Sequence, residues 1–134
     1  REKTMSDEAR AFLDRWYAYV ENHDPALLDA LVAEGAEISS PAFFKPKASK
    51  EYVLAILTAV TAGFEDFSYT KEWIDGREII LEFTARFGDK QLKGIDRFSV
   101  NDKGKMTHIE VLIRPLNGLI ALAEYMKAQF ANAA

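Results

Sequence analysis

Apolar residues recur every three or four positions near the start of the chain, at Ala9, Phe12, Leu13, Trp16 and Val20, while Asp14, Arg15 and Glu21 fall elsewhere on the cylinder. Side chains at that spacing share one face of a helix, so an amphipathic helix is expected from Ser6 to about Asn22. Ser6 offers a cap oxygen, and Asp7 and Glu8 suit the positive end of the helix dipole. Asp24-Pro25 restarts a shorter helix, with Asp24 as cap and proline at its first position. Leu27, Leu28 and Leu31 form its buried side, and Gly35 is expected to end it. Ala36 to Ser40 reads as a short strand stopped by Pro41, and Phe43 to Lys47 as irregular. Ser49 caps a third helix with Val53, Ile56, Leu57, Val60 and Phe64 facing inward.

After Phe64 the period changes from 3.6 to 2, which predicts strands. Phe67, Tyr69 and Trp73 alternate with polar residues up to the Asp75-Gly76 turn. Leu81, Phe83, Ala85 and Phe87 form one face of the next strand. Gly94, Asp96, Phe98 and Val100 form one face of the third, with Lys93, Ile95, Arg97 and Ser99 opposite. Ile109, Val111 and Ile113 line the last strand, where Ile109 is expected nearly opposite Asp96 and His108 near Arg97 on the other face. Pro115 stops that strand. Leu116 to Phe130 predicts a closing helix with Leu119, Ile120, Ala123, Met126 and Phe130 inward. Helices followed by a four-strand antiparallel meander with one dry face imply an α+β fold, with the helices on the dry side of a curved sheet.

The chain has 134 residues, 49% of them hydrophobic, including 9 Phe, 5 Tyr and 2 Trp, enough for one core. A single domain over residues 6–131 is expected, with residues 1–5 extended or disordered. The net charge of -4 and scattered Lys and Arg argue against nucleic acid as a partner. No apolar run approaches the ~20 residues a bilayer requires, and no secretory signal is visible, so a cytoplasmic location and no membrane partner are the expectations. The absence of cysteine rules out disulfides and thiolate chemistry. His23 and His108 are far apart, so neither a metal site nor a cofactor is expected.

The segments Lys93-Gly94-Ile95-Asp96-Arg97-Phe98, Asn101 to Met106 and Ile109 to Arg114, together with the Asn22-His23-Asp24 break after the first helix, resemble the nuclear transport factor 2-like superfamily, especially its SnoaL-like branch. The resemblance runs from about Ser6 to Phe130. It implies a cone-shaped α+β barrel in which the sheet curls around a pocket that N-terminal helices cap on its concave face. It also implies a homodimer through the outer sheet face. Members of this fold include isomerases, cyclases, dehydratases, epoxide hydrolases and binding modules, so the fold alone does not choose among them.

Asp96 interrupts the apolar side of its strand. A carboxyl that loses solvent without a cation beside it moves up from its ordinary pKa and stays available as a hydrogen-bond donor. By motif it aligns with the oxyanion-stabilising aspartate of ketosteroid isomerase. The resemblance places that enzyme's proton-shuttling carboxylate at Ser40 and its phenol at Trp16, with Tyr19 as a substitute one turn on. A serine there is no base, so ordinary ketosteroid isomerase chemistry is not expected. An epoxide hydrolase would need a second inward carboxylate, and a scytalone dehydratase-like site would need inward histidines. The closest catalytic fit is a SnoaL-like cyclase or isomerase with Asp96 as general acid or oxyanion donor. Trp16, Ser40, Tyr69, Trp73, Phe83, Phe98, Ile109, Val111 and Ile113 are the expected lining for a small, mostly apolar molecule. Two other readings stand beside this one. Asp96 is a core carboxylate bonded to Tyr19, Trp16 or Tyr69, or the domain is a noncatalytic binding or dimerisation module whose pocket its own side chains fill.

Overall fold

A computed structural model describes residues 6–131; the expectation for residues 1–5 lies outside them. In chain order the elements are α1 (Asp7–Asn22), α2 (Pro25–Leu31), β1 (Val32–Ser39), β2 (Lys47–Ala48), α3 (Lys50–Gly63), β3 (Glu65–Asp75), β4 (Glu78–Phe87), β5 (Lys90–Val100), β6 (Met106–Arg114) and α4 (Leu116–Phe130). The predicted caps form. Ser6 Oγ accepts from Ala9 N at 3.0 Å, Asp24 Oδ1 from Ala26 N at 2.9 Å, and Ser49 Oγ from Tyr52 N at 3.2 Å.

One six-stranded curved sheet has the order β2-β1-β6-β5-β4-β3. The meander from β3 to β6 is antiparallel, as its alternation predicts, but β1 runs parallel to β6. The sheet is therefore mixed rather than wholly antiparallel, and it does not close into a barrel. Its inward face carries Ile79, Leu81, Phe83 and Ala85 from β4 and Leu92, Asp96, Phe98 and Val100 from β5, all buried under α1, α3 and α4. Phe12 and Trp16 of α1 each pack against the Phe98 ring with centroids 5.0 Å apart.

Several local expectations change. Gly35 does not end α2. The helix stops at Leu31 because Val32 is drawn into pairing with Met106, and Gly35 (φ 73°) lies within β1 where the register to β6 slips between Val32 and Glu37. Part of the segment read as irregular pairs as β2, with Lys47 opposite Ile38. On α4 the buried positions are Gly118 and Leu122, whereas Ile120 is exposed. Across β5 and β6, Asp96 faces Val111 rather than Ile109, and Arg97 faces Glu110, with which it forms an ion pair at 3.6 Å. His108 lies opposite Ser99 and hydrogen-bonds Ser39 Oγ at 2.7 Å.

Candidate functional site

Asp96 sits at the middle of β5, where strand alternation turns its side chain toward the helices. It is the one charged residue among the described residues that is buried, at 7% exposure. Gly94, two residues before it on the same face, leaves room that a side chain would fill. A Cβ there would lie 2.5 Å from Leu112 O and 2.7 Å from Phe83 Cζ. The missing side chain lets the Phe83 ring lie close against β5.

The Tyr69 hydroxyl donates to Asp96 Oδ2 at 2.7 Å, and Trp16 Nε1–H donates to the same Tyr69 oxygen at 2.8 Å. Indole N–H can only donate, so the chain of hydrogen bonds runs from Trp16 through Tyr69 to Asp96. Burial, opposed by the Tyr69 hydrogen bond, pushes the Asp96 carboxyl from 3.8 up to about 7. Burial first, and then the neighbouring Asp96 charge, raise the Tyr69 phenol well above its ordinary value, so Tyr69 is a neutral donor throughout the physiological range. With Oδ2 held by Tyr69, no described residue donates to Oδ1, and the carboxyl lines a cavity.

That cavity has a volume of about 640 Å³ and lies between the inward sheet face, α1, α3, α4 and the chain after β1. Trp16, Ser40, Tyr69, Phe83, Asp96, Ile109, Val111 and Ile113 line it. Two residues expected in the lining, Trp73 and Phe98, and the candidate phenol Tyr19 lie elsewhere. Trp73 is 44% exposed on the outer face, because a bulge between Tyr69 and Lys71 inverts the alternation and turns Ile74 inward instead. Phe98 lies in the core between Phe12 and Trp16. Tyr19 is buried away from Asp96, 2.9 Å from Thr61 Oγ1. Thr61 spends its own proton on Leu57 O at 2.7 Å, so Tyr19 is the donor in that pair. The phenol at Asp96 is Tyr69.

Ser40 Oγ accepts from Ala42 N at 3.0 Å, a local turn bond. No described group poised as a base lies behind it. His23 contributes to the cavity wall from its left-handed position after α1 (φ 56°), a role that its place in a helix-helix turn did not suggest. The inward stripes of α3 and α4 were legible as core. That Val60, Thr61, Leu119, Met126 and Lys127 border open space was not. Among the described residues no group of three or more His, Cys, Asp or Glu is placed to hold a metal. No described helix is long and apolar enough to cross a membrane.

The SnoaL-like domain family profile matches residues 13–109. Among solved structures, the chain is similar to a steroid delta-isomerase from Pseudomonas aeruginosa, at 37% identity and a TM-score of 0.91, covering 97% of this chain and 96% of that one. It is also similar to an uncharacterized bacterial protein with a cystatin-like fold from Silicibacter pomeroyi DSS-3, at 28% identity and 0.85, covering 91% and 86%. A de novo designed protein with a curved β-sheet shares the fold alone, at 13% identity and 0.72, covering 91% and 97%. No curated protein matches the chain in sequence.

Proposed function

This chain belongs to the SnoaL-like family of the nuclear transport factor 2-like superfamily, and we propose that it acts as an isomerase- or cyclase-type enzyme on a small, mostly apolar carbonyl compound. The observation that carries the reading is Asp96, a carboxyl titrating near neutrality on an apolar cavity wall, with one oxygen tied to Tyr69. Tyr69 donates to Oδ2, so the acid proton of neutral Asp96 resides on Oδ1. From there it is donated to a carbonyl oxygen as negative charge develops there, while the α-carbon proton passes to a solvent water; the resulting enol is the product of enolisation or the nucleophile of an aldol-type closure, and the water returns its extra proton to Asp96. Among the described residues no second carboxylate lines the cavity, which favours reactions that one acid can serve. A cavity of about 640 Å³ favours ligand binding over a space plugged by the protein's own side chains.

The test combines calorimetric binding of cyclic ketones with turnover by enolisation, followed by nuclear magnetic resonance as exchange of the ketone's α-hydrogens with deuterated solvent. Asp96→Asn is expected to weaken ketone binding and lower turnover by about 10²–10⁴-fold, the usual worth of a positioned acid. Because the active form is protonated, the wild-type rate falls as pH rises through about 7. A folded Asp96→Asn protein with both affinity and turnover unchanged removes the proposal. On the outer face, Trp73 (44% exposed) and Leu112 (48% exposed) form apolar surface that suits a second copy of the chain.

A further inference from the structure

The cavity bears its positive charge at the solvent end. The stripe of α4 that borders it runs through Ala123, Lys127 and Phe130, so an ammonium interrupts an otherwise apolar wall. Lys127 is exposed while also lining the cavity, which places it at the opening. From a separate element, Lys47 Nζ lies 4.1 Å from the centroid of the Tyr52 ring, and Tyr52 also lines the cavity. Lys50, Lys90 and Lys93 form ion pairs with carboxylates, whereas among the described residues Lys47 and Lys127 form none. Among the described residues the cavity's one lining carboxyl is Asp96, buried in the wall and bonded to Tyr69. An anionic ligand group is therefore disfavoured at the Asp96 end, where it would lose its water against apolar side chains, and attracted to the opening, where an apolar body behind it is shielded from water.

We infer that the ligand of this cavity is an apolar acid, with its ring or chain inside against Asp96 and an anionic head at the opening paired with Lys127 and Lys47. This rests on the proposed ligand-binding function and deepens it by giving the substrate a charge and an orientation. Lys127 also stands in the last turn of α4, where a cation suits the negative end of the helix dipole. A purely structural lysine of that kind would affect helix stability without distinguishing charged from neutral ligands.

Two fluorescent probes that differ by one sulfonate separate these cases: 1-anilinonaphthalene-8-sulfonate and the neutral N-phenyl-1-naphthylamine. The wild-type protein is expected to bind the sulfonate more tightly, with a preference that shrinks as salt rises. Lys127→Gln and Lys47→Gln should each weaken sulfonate binding by about two- to fivefold, as for an exposed ion pair, and leave the neutral probe unchanged. Ala123→Trp, which adds bulk to the cavity wall, should weaken both probes. Equal affinity for the two probes, loss of both equally in the lysine variants, or indifference of both to Ala123→Trp overturns the inference. Failure of the wild-type protein to bind either probe overturns it too, and in that case the ligand-binding reading fails with it. Binding without charge preference refutes only the acid head.

Discussion

Replacing Asp96 by asparagine should stabilise the protein at alkaline pH while removing its proposed chemistry. The carboxyl titrates at about 7 in the folded chain and near its ordinary 3.8 when unfolded. Between those values the folded state holds a proton that the unfolded state has released, so stability falls as pH rises across the window. The contribution of the neutral acid is fully present below about pH 3.8 and is lost as pH passes through about 7. At about 1.4 kcal/mol for each pH unit separating the two values, ionising Asp96 in place costs about 4 kcal/mol. An amide cannot ionise, and its carbonyl oxygen still accepts from Tyr69. Asp96→Asn should therefore match the wild type near pH 4 and exceed it by up to about 4 kcal/mol above pH 8. Urea titrations of both proteins at pH 4, 6, 7 and 8.5 read this directly. With a slope of about 2 kcal/mol per molar urea, the midpoints should separate by about 2 M at the highest pH. Other titrating groups are common to both proteins and cancel in the difference. A midpoint difference independent of pH, or a variant less stable than wild type at pH 8.5, refutes the account of Asp96 as a buried acid held against its own ionisation.

Tyr69→Phe removes the donor to Asp96 and the acceptor of Trp16 Nε1–H together. It should cost about 1–3 kcal/mol in urea unfolding, and the Asp96 titration, followed by carboxyl-carbon nuclear magnetic resonance, should move above 7 because the bond that lowers it is gone; a titration that stays in place contradicts the assignment. Gly94→Ala puts a methyl 2.5 Å from Leu112 O, which is backbone and cannot swing aside, so a loss of about 1–3 kcal/mol or more is expected in the same assay, and a neutral result would show that the β5–β6 contact is looser than described. For the outer face, light scattering should give twice the 15.1 kDa chain mass, reduced to a single chain by Trp73→Glu; a wild-type mass near 15.1 kDa at high concentration rules out the dimer.

Much of this protein is written in short-range pattern. The caps at Ser6, Asp24 and Ser49, the change of period after Phe64 and the inward face of Gly94, Asp96, Phe98 and Val100 depend on residues within a few positions of one another, and the sequence alone determined them. The inward carboxyl was legible for the same reason, because one acid on an apolar strand face breaks a period of two. What only the tertiary structure decided are pairings between distant segments and departures from the period. Alternation says which face a residue occupies but not which strand lies beside it, so the parallel union of β1 with β6 left no local mark. A one-residue bulge after Tyr69 reverses every later face of β3, which carried Trp73 to the outer surface although its spacing from Phe67 and Tyr69 pointed inward. Likewise Tyr19 and Tyr69 were both eligible partners for Asp96. Cross-strand neighbours on β3, β4 and β5 bring Tyr69 to it, while the helix face of Tyr19 delivers that hydroxyl to Thr61. The acid of this site was local information, and its partner was a consequence of packing.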